Sequence, residues 1–152
     1  MNRGNARFDV IGLGGCAWDL LGIASKYPQI DEKVPLVSFE QQGGGQAGTA
    51  MVAVARLGGK AAVVGNTGDD EFGGKIRQSF VEEGVDVSHL HAVSGATSHI
   101  AVCISDAETG QRSILYREGT KGKMSPEQLD RDFITSCRCF LTDTHHFQAD
   151  TP

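Results

Sequence analysis

Apolar positions along this chain follow two periods. Phe8-Asp-Val-Ile-Gly-Leu13 is a short apolar run ending at Gly14-Gly15, the pattern of a buried strand that meets a tight loop. Residues 47, 50, 51, 54 and 57 form an apolar stripe that predicts a helix, and Gly58-Gly59 supplies its stop. Ala61-Ala-Val-Val64 reads as the next strand. Asp70 predicts the cap of a second helix over 71–83, with Phe72, Ile76 and Phe80 on one side and Gly84 at its end. Ile100, Val102 and Ile104 alternate with Ala101 and Cys103; "SDAETGQ" and the return run Ser113–Tyr116 complete a hairpin. Ser125-Pro126-Glu127-Gln128 combines a capping box with proline at the first helical position, which predicts a third helix starting there. Arg138-Cys-Phe-Leu-Thr142 is the last strand. Residues 20–40 are mixed, with Pro28, Pro35 and the acidic pair Asp31-Glu32, and predict only short strands and turns.

Helices alternating with buried strands predict an α/β fold, a partial parallel sheet with flanking helices. The 20–40 excursion and the 98–117 hairpin do not fit that layer and can pair into a small separate sheet. At 152 residues the chain suffices for one domain with a sizeable core. Its net charge of −5 and lack of Lys/Arg runs argue against a nucleic-acid surface. No apolar run approaches the roughly 20 residues of a membrane helix. The start, "MNRGNARFDV", has no signal-peptide core, so a cytoplasmic location is the default expectation.

Glycine changes the picture: there are 20 in 152 residues, and four stand within six positions in "QQGGGQAGTA" (41–50). A phosphate-binding P-loop is excluded, because no lysine stands where it would reach a terminal phosphate. Gly12-Leu-Gly14-Gly-Cys-Ala17 satisfies the G-x-G-x-x-[GA] dinucleotide fingerprint after a strand, with Asp31 or Glu32 near the acidic offset. A helix there, carrying Trp18, Leu20, Leu21 and Ile23, would have to finish before Pro28. This leaves an NAD-dependent oxidoreductase as one reading. Glycines directly before a helix also let a ligand approach backbone and helix N–H groups; a flexible connector is the alternative. Cys137, Cys139 and the pair His145-His146 fit no standard zinc spacing, and no metal site is expected; Cys16 and Cys103 read with them as free thiols.

The runs "DVIGLGGCAWDLL" (9–21), "GGGQAGTAMVAVARLGGKAAVVGNTGDDEFG" (43–73), "EEGVDVSHL" (82–90) and "RSILYREGT" (112–120) resemble the N-terminal half of the PfkB, or ribokinase-like, carbohydrate kinases. The resemblance covers nearly the whole chain up to about Asp143. It implies a ribokinase-like fold in which 1–152 is the N-terminal part of one domain, with a small β lid built from about 20–42 and 96–118. It also implies ATP-dependent phosphorylation of a sugar or nucleoside hydroxyl, with ATP and Mg2+ handled by the full-length enzyme. By the same resemblance Asp19 holds sugar hydroxyls, Gly44 and Gly45 contact the sugar and flex as the lid closes, and Arg117 is a lid arginine used by some members on acidic sugars. Gln46 and Thr49 stand where many sugar kinases have Lys and Asn-type contacts, which leaves the identity of the sugar open. "GDDEFG" (68–73) reads as a turn and helix cap. Lid sheets in this family often form homodimers. The Gly-Ala-Gly-Asp segment that carries the family's catalytic base does not occur here. The expectation is a fragment without kinase activity of its own and with no catalytic residue; a half-domain with at most weak sugar binding is the runner-up.

Overall fold

The computed structural model describes residues 6–119, 124 and 128–143. The elements run β1 (Phe8–Leu13), β2 (Ala17–Ala24), β3 (Leu36–Gly44), α1 (Gln46–Arg56), β4 (Ala61–Gly68), α2 (Glu71–Glu82), β5 (Asp86–Val93), β6 (His99–Asp106), β7 (Arg112–Arg117), α3 (Arg131–Ile134) and β8 (Cys137–Thr142). They form two four-stranded sheets, ordered β5-β4-β1-β8 and β3-β2-β6-β7.

The first sheet is parallel throughout. Its central strands, β1 and β4, are largely buried because both of their faces are covered. In β4, Ala61 and Val63 pack with Met51 of α1, Ile76 and Phe80 of α2, and Leu90. Ala62 and Val64 point the other way, onto Phe8, Ile11, Leu13 and Phe133. Burying side chains the size of Met51, Ile76 and Phe80 stabilises the layer by roughly 1.5–3 kcal/mol each. Arg56 and Glu83 tie the end of α1 to the end of α2, with Arg56 Nε donating at 2.8 Å.

The second sheet is mixed: β2 pairs antiparallel with β3 and parallel with β6, and β6 pairs antiparallel with β7. Register divides its two faces. Asp19, Ala101 and Tyr116 stand in one row, as do Trp18, Ile100 and Arg117 in the next, so the two rows face opposite sides. Trp18 belongs to the face that leans on the core cluster beside α2.

Several sequence expectations shift. Residues 17–24 and 36–44 are two long strands, more regular than the turns expected between 20 and 40. Asp19 sits inside β2. The helical reading of Trp18–Ile23 fails: the chain leaves the Gly14-Gly15 turn as a strand, so no helix continues from Gly12–Ala17 and the dinucleotide fingerprint lacks the following helix of a dinucleotide-binding unit. The "QQGGG" stretch is mostly paired strand, with Gly43 opposite Trp18 and Gly44 opposite Ala17. β5, with Asp86, Ser88, His89 and His91 among its eight residues, is a strand that the apolar pattern does not predict. α3 is a single turn whose cap is Asp130, accepting from Asp132 N and Phe133 N; Ser125, Pro126 and Glu127, where the sequence predicts a helix to start, lie outside the described residues.

Candidate functional site

The C-terminal ends of β1 and β8, the start of α1 and the first residues of β2 meet at one place. β3 runs into α1 through one residue, Gly45, with φ 88° and ψ 148°. A Cβ there would stand 2.2 Å from the Gly15 carbonyl oxygen, so only glycine lets the joint lie against the β1–β2 turn. The Gly15 carbonyl also accepts from Gly48 N at 3.2 Å. Gly44 is the other half of the close approach: a Cβ on it would meet Asp19 Oδ2 at 2.1 Å, which places the Asp19 carboxylate flat over the backbone. Burial raises the Asp19 pKa above the usual carboxylate value, and the charge of His99 opposes the shift. His99 stacks on Tyr116, ring centroids 5.8 Å apart, on the same face of the second sheet.

No side chain from α1 or Gly45 caps the helix. Asp143, at the end of β8, takes that role from across the chain: its Oδ2 accepts from Gly15 N at 2.7 Å and Ala47 N at 3.3 Å. A carboxylate at a helix N-terminus is further stabilised by the helix dipole. Oδ1 of the same group is buried and has no hydrogen-bond partner among the described residues. An unsatisfied buried acceptor of this kind costs about 1–3 kcal/mol. Beneath it, burial and then the Asp143 charge push the Cys16 thiol up to about 12.

A second cluster lies at the N-terminus of α2. Asp70 Oδ1 accepts from Gly73 N at 2.9 Å and from Ser98 Oγ at 2.6 Å, while Oδ2 accepts from Ser98 N at 3.0 Å. Arg117 Nη2 stands 3.4 Å from Asp70 Oδ2 and donates to the Ser98 carbonyl at 3.2 Å. Burial is the largest single influence on Asp70 and raises its pKa, but the Ser98, Gly73 and Arg117 contacts together lower it below the usual value.

The structure thus gathers Asp19, Gly44 and Gly45. Gln46 and Thr49 are exposed on the first turn of α1 beside them. Arg117 stands apart, on the opposite face of its sheet and paired with Asp70. Asp143 carried no sequence signal, since its partners are 128 and 96 residues away. Among the described residues no group of three or more His, Cys, Asp or Glu could hold a metal ion, and no helix is long and apolar enough to cross a membrane. His145 and His146 lie outside the described residues.

The sequence pattern of the pfkB family carbohydrate kinases matches residues 9–147. The chain belongs to the pfkB family. Among its relatives are the ribokinase of Bacillus subtilis, 31% identical over 75% of this chain and 38% of that protein, and the potato (Solanum tuberosum) fructokinase, 32% identical over 67% and 32%. The ATP-dependent ribose-1-phosphate kinase of Halopiger xanaduensis is 27% identical over 80% of this chain and 40% of its own length. The chain therefore spans about 40% of the curated relatives it matches. The pfkB fold is seen in the Arabidopsis thaliana ribokinase complexed with ribose and ATP (TM-score 0.72, 20% identity, 89% of this chain and 45% of that one). The Giardia lamblia ribokinase aligns as well (TM-score 0.72, 22% identity, 89% and 41%).

Proposed function

We propose that this chain supplies the sugar-binding and lid portion of a kinase that transfers phosphate from ATP, with Mg2+, to a sugar or nucleoside hydroxyl. The observation that carries this reading is the Asp19 carboxylate lying over Gly44 beside the positive-φ joint at Gly45. A carboxylate accepts two hydroxyl hydrogen bonds, and glycine lets a polyol lie against backbone. The second sheet is the lid in this reading, and Gln46 and Thr49 line the sugar's approach to α1. With Arg117 engaged by Asp70 and Ser98, a neutral sugar fits this reading better than an acidic one.

The isolated 152-residue chain has no kinase activity in this proposal, because Gly-Ala-Gly-Asp is absent from it and phosphoryl transfer depends on groups that position and neutralise the phosphates. A cytoplasmic location and a homodimer complete it. The dimer is supported by Leu36, Phe39 and Leu115, 48%, 53% and 63% exposed on the lid face that carries Trp18. Titrating the chain with D-ribose and D-fructose tests the reading. Binding that Asp19→Ala abolishes, with the fold intact and no sugar-dependent ATP consumption, is the expected result. Binding that survives in Asp19→Ala refutes the site.

A further inference from the structure

His89, on the edge strand β5, stands between two oxygens that can only accept a proton. Its Nε2 lies 3.5 Å from Asp130 Oδ2, and its Nδ1 lies 3.1 Å from Ser88 Oγ. Ser88 Oγ donates its single proton to Asp86 Oδ1 at 2.5 Å, so toward His89 the hydroxyl offers only lone pairs. A neutral imidazole has one N–H and satisfies one of the two oxygens. An imidazolium satisfies both.

The ring also joins two elements. It stacks on Phe133 of α3, with centroids 3.6 Å apart and planes at 20°, a position that suits a cation on an aromatic face. Phe133 packs edge-on against Phe8 of β1, and α3 leads into β8 at the far edge of the sheet. Asp130 divides its oxygens: Oδ1 caps α3 through Asp132 N and Phe133 N, and Oδ2 faces His89. From β5 itself the ring meets Asp86, through Ser88, and His91, whose ring centroid is 6.2 Å away. Ahead of β1, Arg7 pairs with Asp86 at 3.4 Å and lies over the Phe8 and Phe133 rings. α3 also carries Arg131 and Asp132. β4 sets Val64 opposite His89 and has no titratable residue. The Phe133 amide, with the His89 contact, holds the Asp130 carboxyl below its usual range. Burial raises Asp86, but the Ser88 bonds and the Arg7 and His89 charges together bring it below the usual value. Both acids therefore stay ionised wherever histidine titrates.

We propose that His89 is a proton-operated clasp: its imidazolium fastens α3 to β5 across the face of the first sheet, and the neutral ring lets one of the two bonds go. The clasp is closed in acid and opens as pH rises through the range in which histidine loses its charge. What loosens is the Phe133 cover over Phe8, Ile11 and Leu13. This stands independently of the sugar-kinase reading.

Hydrogen exchange of the 15N-labelled 152-residue chain at about pH 5.5 and about pH 8, corrected for intrinsic exchange rates, tests the clasp. Protection of the Asp132, Phe133 and Ile134 amides is expected to be about two- to fivefold higher at the lower pH, the range of a partly exposed ion pair. His89→Gln, which cannot titrate, and Asp130→Asn, which keeps a capping oxygen, are each expected to remove that difference. A wild-type chain without the difference overturns the proposal, and so does His89→Gln that retains it. An equal change at the β4 amides overturns it as well, because the effect is then global. Should neither variant fold, the wild-type ring nitrogens decide. Both carry protons where α3 is protected if the clasp is real, and α3 signals that do not follow the His89 titration overturn it.

Discussion

A methyl group added at Gly44 meets the end of the Asp19 side chain, whereas one added at Gly45 meets the Gly15 carbonyl and must also hold φ 88°. A side chain can swing away; a carbonyl inside a packed turn cannot. Gly44→Ala is therefore expected to displace the Asp19 carboxylate and remove sugar binding with little change in stability. Gly45→Ala strains the backbone by about 1–3 kcal/mol and should lower the thermal midpoint by roughly 3–10 °C. A melting curve and a ribose titration on each variant separate the two effects. Asp19 itself is held against its own solvation. Its folded pKa lies above the unfolded one, so its contribution to stability is present below the unfolded pKa and is lost as pH rises through the folded value. Asp19→Asn should accordingly raise the midpoint at pH 7, by an amount that vanishes below about pH 4, while abolishing sugar binding. An equal gain at both pH values would show that burial of charge is not the cause.

Asp70 works between elements. It caps α2, and through Ser98 and Arg117 it holds the first residue before β6 and the last residue of β7, the two points where the hairpin leaves the core. Its folded pKa is depressed, so the stability it contributes is present above the unfolded pKa near 3.9 and is lost as pH falls through the folded value. Asp70→Asn is expected to melt lower than wild type at neutral pH, with the two curves converging in acid; hydrogen exchange should show β6 and β7 loosening before β4. The cap at Asp70 could be read from the sequence because its reason is local: a short acid followed by an apolar stripe. The links to Ser98 and Arg117 could not, since they depend on a sheet that brings residue 117 beside residue 70. The same division runs through the fold. β1, α1, α2 and the β6–β7 hairpin have periods that the sequence displays. β2 hid behind a glycine pattern that mimics a strand-to-helix turn, and β5 hid because alternation of polar residues is weak in a strand at the edge of its sheet. Asp19, Gly44 and Gly45 came from family resemblance, and Asp143 from neither source, because a capping residue supplied from another element leaves no local trace.

At the scale of the whole molecule, two four-stranded sheets are built from one chain. The exposed apolar residues Leu36, Phe39 and Leu115 on the second sheet, the lid of the proposed function, are expected to associate copies of the chain. Phe39→Asp should shift the sedimentation of the 152-residue chain from dimer to monomer while leaving sugar binding in place; a wild-type chain that sediments as a monomer at high concentration refutes the dimer. The joint at Gly45 has one more consequence. β3 is bonded to β2 as far as Gly44, and α1 begins at Gln46, so a single residue separates a strand fixed in one sheet from a helix fixed against the other. A nine-residue strand extends about 30 Å. A turn of about 10° at Gly45 would therefore carry Leu36 through roughly 5 Å while Gly44, at the pivot, barely moves. The geometry is that of a long lever with its fulcrum at the proposed sugar site: a small torsion at Gly45 is magnified into a wide sweep at the rim of the sheet.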